Sequence, residues 1–271
     1  MTAEFDSPTQ SRRRLLILGY HAVSPMRRGH AAVSESDLRS HLGYLKGRGY
    51  AGLTISEAER RRADGTLPSR SVVVTFDDGY ASTLRAVPVL KEYGFPGTVF
   101  VVTSFVETGA TLAWEGLEEA PGSDSVEELR SLTWEDVVEL AGQGWEIGSH
   151  TTTHPLLTRA SDERLRDELV QSRAAIERRL DRCSAIAYPY GLADDRVAEA
   201  ARQAGYTVGC TLTFVHSLDE PLRRPRIWMG ADHSRVVLTL KVSRFGQAAR
   251  RSRPARLARA MRRRRDWLPE A

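Results

Sequence analysis

The chain has 271 residues, 41% of them hydrophobic, enough to bury one large core, and a single barrel-sized α/β domain fits that length. Two cysteines, Cys183 and Cys210, are too few for a disulfide framework and lack metal-site spacing, so both read as core thiols. The net charge of +4 is uneven: eleven basic residues from Lys241 onward face only Asp266 and Glu270, giving +9 there and −5 over the remainder. Basicity confined to a tail argues against nucleic acid as a partner of the domain.

No apolar run reaches the roughly 18 residues of a membrane span. Arg12-Arg13-Arg14-Leu15-Leu16-Ile17-Leu18 has the charge order of a secretory signal. Its apolar part is short, however, and runs into Gly19-Tyr20-His21 without a small-residue cleavage site. A first strand over 15–21 is the expectation, and with it a cytoplasmic protein. Ser34 then caps a helix to about residue 48, with Leu38, His41, Leu42 and Leu45 on one face and Gly49 as its stop. A short strand over 52–55 precedes a helix beginning at Ser56. The β-branched run Val72-Val73-Val74-Thr75-Phe76 reads as a buried strand, followed by a helix over 81–93 that Gly94 ends.

A strand over 98–103 leads into an acidic, irregular stretch, 104–132, containing Trp114, Pro121 and Gly122. Thr133 caps a helix over 134–141, and a strand through Ile147 follows. Ser161 caps an amphipathic helix to about residue 180. A strand over 185–188, a helix over 194–204, a strand over 207–212 and a last short strand over 226–229 complete the alternation. Regular βα alternation implies a parallel sheet, and a barrel gathers the C-terminal strand ends on one face. No glycine-rich phosphate fingerprint follows any strand, which lowers a nucleotide-binding reading. The expected architecture is α/β, a distorted (β/α) barrel. An N-terminal extension spans 1–14, a catalytic domain 15–232, and a basic helical extension 233–271.

Asp77 and Asp78 end the buried 72–76 run, where two carboxylates are costly unless they bind a cation or do chemistry. Taken alone, Asp78-Gly79 is ordinary turn chemistry. Ser149-His150-Thr151-Thr152-Thr153-His154-Pro155 changes that balance. Two imidazoles and one carboxylate form a usual ligand set for a catalytic divalent metal, and the second carboxylate is then available as a base. Pro155 disfavours helical geometry at His154, so both histidines are expected on a loop.

Thr75-Phe76-Asp77-Asp78-Gly79-Tyr80 followed by that histidine loop closely resembles the polysaccharide deacetylases of carbohydrate esterase family 4. Tyr20-His21 and Ala187-Tyr188-Pro189-Tyr190-Gly191 resemble its poly-N-acetylglucosamine deacetylase-like branch, and the likeness runs from about Leu15 to Met229. The resemblance implies a deformed βα barrel, a carbohydrate substrate and hydrolytic removal of N-acetyl groups from amino sugars. It implies Asp77 as general base and Asp78, His150 and His154 as ligands of a divalent metal, zinc first, with cobalt, nickel, manganese or iron as alternatives. By the same analogy the backbone N–H of Tyr190 joins the metal in stabilising the oxyanion, and its ring lines the sugar pocket.

Two departures stand out. Many family members carry an arginine two residues before the motif proline, where this chain has Ala187; Arg226 is the residue expected to supply that charge beside Asp77. A Leu-x-His motif near the end of the barrel is missing, which leaves His21 as the candidate to protonate the leaving amine. His216 and His233 are weaker candidates, and His30 and His41 read as surface or core. The run 250–265 reads as a solvated helix face or a disordered extension, with peripheral contact to an anionic membrane as the alternative, which suits a lipid-linked sugar. Two competing functions remain: a hydrolase of another non-peptide C–N bond, and a carbohydrate-binding protein impaired in catalysis.

Overall fold

Short apolar, largely β-branched runs set the framework. The structure, a computed structural model, describes residues 14–24, 32–114, 129–212, 220–231 and 233–243. Among them the strands are β1 (Arg14–Tyr20), β2 (Ala51–Leu53), β3 (Arg70–Phe76), β4 (Gly97–Val101), β5 (Glu146–Ser149), β6 (Ala185–Ala187), β7 (Val208–Thr211), β8 (Arg224–Pro225) and β9 (Ile227–Trp228). The helices are α1 (Glu35–Gly47), α2 (Ile55–Ala63), α3 (Ala86–Tyr93), α4 (Thr103–Thr108), α5 (Trp134–Gly142), α6 (Asp162–Leu180), α7 (Asp195–Gln203) and α8 (Arg235–Val242).

Every strand pairing is parallel, in the order β8-β7-β6-β5-β4-β3-β1-β9, with β2 added alongside β3. Only Arg226 separates β8 from β9. The segment 224–228 therefore pairs with β7 at its start and with β1 at its end, and the sheet comes round into a nearly closed, distorted (β/α) barrel.

Strand alternation sorts the side chains into two cores. On β3, Val72, Val74 and Phe76 face the surrounding helices, whereas Val73 joins Ile17, Phe100, Ala185, Ala187, Val208 and Cys210 in a second cluster, the barrel interior. Helix α2 lies across the N-terminal ends of the strands. Its Ile55 N–H donates to Thr98 Oγ1 (3.2 Å), Ser56 binds Glu146 and approaches Ser184 Oγ (2.8 Å), and Glu59 pairs with Arg224. That end is plugged, so chemistry is left to the opposite face. Gly148 is obligatory in this interior: a Cβ there would lie 2.5 Å from the Phe100 ring and 3.0 Å from the Ala185 carbonyl oxygen.

Several boundaries differ from expectation for local reasons. The helix expected over 81–93 splits into a 3-10 turn, Ala81–Arg85, and α3, because Pro88 has no N–H to continue the ladder backwards. Helix α2 begins at Ile55, one residue ahead of the expected Ser56, with Thr54 in the N-cap position. Residues 103–108, expected as strand end and loop, form α4, which Gly109 ends at φ 63°. At the other end of the chain, Leu238 and Val242 of α8 belong to the principal core and α8 packs on α1, so that core continues past residue 232.

Residues 1–13 of the expected N-terminal extension and the arginine-rich run 250–265 lie outside the described residues. Both cysteines are buried thiols. Leu238→Ala is expected to cost about 2–5 kcal/mol of unfolding free energy in a denaturant titration, as for a buried core leucine; a loss near zero would detach α8 from the domain.

Candidate active site

The open face of the barrel collects residues from five strand ends. In β3 the inward series Val73, Thr75, Asp77 carries Asp77 to the rim, and its N–H donates to the Tyr20 carbonyl (2.9 Å). Consecutive residues of a strand point to opposite faces. Asp78 escapes that rule because its backbone is left-handed (φ 70°), followed by Gly79 at φ 74°. Both carboxylates thereby reach one pocket, and both are almost completely buried.

Asp77 faces Arg226, brought inward at the β8–β9 junction. The guanidinium spans the carboxylate in a bidentate pair: NH1 donates to Oδ1 and NH2 to Oδ2, each at 2.6 Å. NH1 also donates to Thr75 Oγ1 (2.9 Å), whose own hydroxyl donates to the Leu18 carbonyl (2.8 Å). Burial alone would raise the Asp77 pKa, but the Arg226 charge, aided by His150 and the Arg226 hydrogen bonds, brings it below the ordinary carboxylate value. Asp77 is therefore a fixed, ionised acceptor.

Asp78 faces the histidines instead. His150, inward after Gly148, lies with Nε2 3.2 Å from Asp78 Oδ1, and His154 Nε2 is 3.6 Å from the same oxygen. The His150 Nδ1 contact with the Ala187 carbonyl (2.7 Å) requires a proton on Nδ1. In a neutral ring Nε2 then turns a lone pair towards a carboxylate oxygen, an arrangement that needs a proton or a cation between them. Burial disfavours a charged His150, yet the Asp78 hydrogen bond and the two carboxylate charges raise its pKa. His154 goes the other way: burial and the His150 charge push it down to about 3, leaving a neutral imidazole suited to ligation. Ligand atoms of Asp78, His150 and His154 all lie within 4.8 Å of one another. This donor set of one oxygen and two nitrogens fits a divalent metal with an open coordination position. Burial and the nearby Asp78 charge raise the Tyr80 pKa, so its hydroxyl stays protonated beside that carboxylate.

The loop after β5 adopts the non-helical path expected from Pro155, with Thr151 at φ 70° and His154 at φ 62°. The Thr151 N–H donates to Ser149 Oγ and the His154 N–H to Thr151 Oγ1, both at 3.0 Å. His21 Nε2 stands 4.0 Å from an oxygen of each carboxylate. Tyr190, left-handed at φ 58°, sets its ring centroid 4.9 Å from that of His154. Trp114 stacks on the same imidazole at 4.2 Å and is itself edged by Phe105. The aromatic contact of Trp114 went unseen in the sequence because nothing in the irregular 104–132 stretch fixes where its rings point.

Seven sequence-derived candidates thus gather here: Asp77, Asp78, His150, His154, His21, Arg226 and Tyr190; the weaker candidates His216 and His233 do not join them among the described residues. The other histidines fall elsewhere or outside the described residues. His41 is buried against Tyr20 (3.1 Å) and the His233 carbonyl (2.6 Å), and the His233 ring meets Trp228 and Lys241. His30 and His216 are not among the described residues.

The chain belongs to the polysaccharide deacetylase family, whose sequence pattern matches residues 64–209. It is 29% identical over 207 residues to YxkH of Bacillus subtilis (strain 168), which carries a provisional polysaccharide deacetylase name. It is 28% identical over 192 residues to the poly-beta-1,6-N-acetyl-D-glucosamine N-deacetylase of Staphylococcus aureus (strain MSSA476). These matches cover 75% and 67% of this chain but only 66% and 61% of the two relatives' own lengths. Among solved structures, the Streptococcus pyogenes deacetylase PplD in complex with acetate superposes with a TM-score of 0.71 at 26% identity, over 84% of this chain and 98% of that one.

Breaking a buried ion pair from one side strands the other charge. Arg226→Met is expected to cost about 3–5 kcal/mol in denaturant unfolding, and Asp77→Asn added to it to recover a substantial part. A double variant no more stable than Arg226→Met would show that the pair is not what holds this seam.

Proposed function

We propose that the protein is a metal-dependent hydrolase that removes N-acetyl groups from N-acetylated amino sugars. The observation that carries this reading is the convergence of Asp78, His150 and His154 on one point beside a separately held carboxylate, Asp77. The name of the Staphylococcus aureus relative supports the substrate class, an N-acetylglucosamine glycan. Asp78, His150 and His154 would hold the metal, zinc being the first choice for one carboxylate and two imidazoles. When bound, the ion supplies Lewis acidity for the acetamide carbonyl and lowers the pKa of water.

The remaining chemistry falls to the chain. Asp77 takes a proton from the attacking water on a carboxylate oxygen; two hydrogen bonds from Arg226 leave lone pairs for it. Arg226 touches the base rather than the substrate and so acts by positioning it. The Tyr190 backbone N–H is assigned to the developing acyl oxygen, and its ring with Trp114 to the walls of the sugar pocket. His21, beside both carboxylates, donates a proton to the departing nitrogen as the C–N bond breaks. Water is thereby divided between acetate and a free amine, without a covalent intermediate.

Asp77→Asn is expected to lower acetate release from N-acetylglucosamine oligomers by about 10²–10⁴-fold with metal content unchanged. His150→Ala is expected to lose the metal. If Asp77→Asn lost the metal instead, the two aspartates would exchange roles. Metal-loaded wild-type protein that released no acetate from any amino sugar, yet bound glycans, would favour a binding protein; turnover of other amides alone would favour a different C–N hydrolase.

For the C-terminal end we propose peripheral contact with an anionic membrane. Val236 and Leu240, one helical turn apart, are exposed on α8, which leads toward the arginine-rich run. No helix among the described residues is long and apolar enough to cross a membrane. Full-length protein is expected to sediment with phosphatidylserine vesicles and a version ending before Arg250 to do so less; equal binding would remove the idea.

A further inference from the structure

Glu168 lies in α6, outside every motif that marks the site, yet its carboxylate is buried against the loop between the two histidines. Oε2 accepts the backbone N–H groups of Thr152 and Thr153, both at 2.9 Å. Oε1 accepts the Thr153 hydroxyl at 2.5 Å. The backbone of the same residue is also engaged: its carbonyl accepts the hydroxyls of Thr152 (3.3 Å) and Ser172 (2.7 Å). Ser149 Oγ in turn donates to Ser172 Oγ at 2.8 Å. One turn of α6 therefore grips the loop from Ser149 to Thr153.

That grip has a specific task. Thr151 and His154 are both left-handed, conformations that side-chain-bearing residues adopt only when their surroundings impose them. Thr152, half-buried, and Thr153, exposed, lie between them, and the carboxylate gives both N–H groups one fixed acceptor where water would leave the loop free to turn. A carboxylate suits this place because it accepts several hydrogen bonds at once. Among the described residues the basic group that pairs with it is Arg164, 4.0 Å away and largely exposed, a longer contact than the three hydrogen bonds to the loop.

We propose that Glu168 is a positioning residue of the metal centre: through Thr152 and Thr153 it fixes the 150–154 loop so that Nε2 of His150 and of His154 both face Asp78 Oδ1. The inference rests on the metal reading of Asp78, His150 and His154. It assigns to Glu168 no contact with substrate or with reacting atoms. Outer-shell groups of this kind typically change metal affinity by about 10–100-fold.

The test is Co²⁺ affinity by chelator competition, with the visible d–d band of the bound ion as a geometric signature, on the full chain. Glu168→Ala is expected to bind at least about tenfold more weakly and to alter the band. Glu168→Gln, whose amide oxygen can still accept both N–H groups and whose NH2 can donate to Thr153 Oγ, is expected to stay near wild type. Leu238→Ala, remote from the site, controls for lost stability and is expected to keep wild-type affinity. Wild-type affinity in Glu168→Ala, or an equal loss in Leu238→Ala, overturns the proposal. If Glu168→Ala does not fold, Thr153→Val removes one of the three bonds from the loop side and is expected to weaken binding; unchanged affinity there overturns it too. Wild-type protein that takes up no Co²⁺ overturns the metal reading itself and this inference with it, an outcome distinct from a metal-binding wild type indifferent to Glu168.

Discussion

A guanidinium and a carboxylate, both cut off from water, meet where the barrel closes. Neither Arg226 nor Asp77 tolerates that environment alone, because removing a single charge from water costs several kcal/mol that only a well-aligned counter-charge offsets. The pairing of segment 224–228 with β7 and then β1 brings Arg226 inward between the two, so the seam and the ion pair depend on each other. The same contact sets the chemistry. It keeps Asp77 ionised and oriented, and leaves its neighbour Asp78 to the histidines.

The second constraint is geometric. Five residues other than glycine have positive φ among those described: Asp78, Thr151, His154, Asp181 and Tyr190. Four of them line the site, and only Asp181 does not, serving as the C-cap of α6. Left-handed backbone in such residues costs on the order of 1–3 kcal/mol each and persists where the surroundings over-determine it. Here those surroundings are identifiable: the Glu168 carboxylate, Ser149 Oγ and Thr151 Oγ1 around the histidine loop, and the Asp77 N–H bonded to Tyr20 under the acidic pair. The strain brings together side chains that a regular strand or helix would turn apart.

Much of this was legible in the chain because it is local. Asp77-Asp78 after a β-branched run and two histidines bracketing three threonines before Pro155 carry their meaning within a few residues. The alternation of strands and helices likewise pointed to a parallel barrel. Arg226 was a weaker signal, since its partner lies 149 positions away and only the likeness to a family branch linked them. Glu168 gave no signal at all: on a helix rich in acidic and basic residues it reads as one more exposed charge, and only the folded loop supplies its acceptor role. Leu238 and Val242 were likewise hidden, because the basic run that follows dominated the reading of that end. Pro88 was visible, but its consequence, a 3-10 turn before α3, is a matter of hydrogen-bond geometry.

The claim on which the account turns is that Asp78, His150 and His154 share one divalent ion. Anomalous diffraction from crystals of zinc-loaded protein tests it most directly. The account predicts a single strong peak at about 2.0–2.2 Å from an Asp78 carboxylate oxygen and from Nε2 of both histidines, with Asp77 still held by Arg226 and off the metal. A peak ligated by Asp77, or a fully loaded protein with its zinc elsewhere, would contradict it.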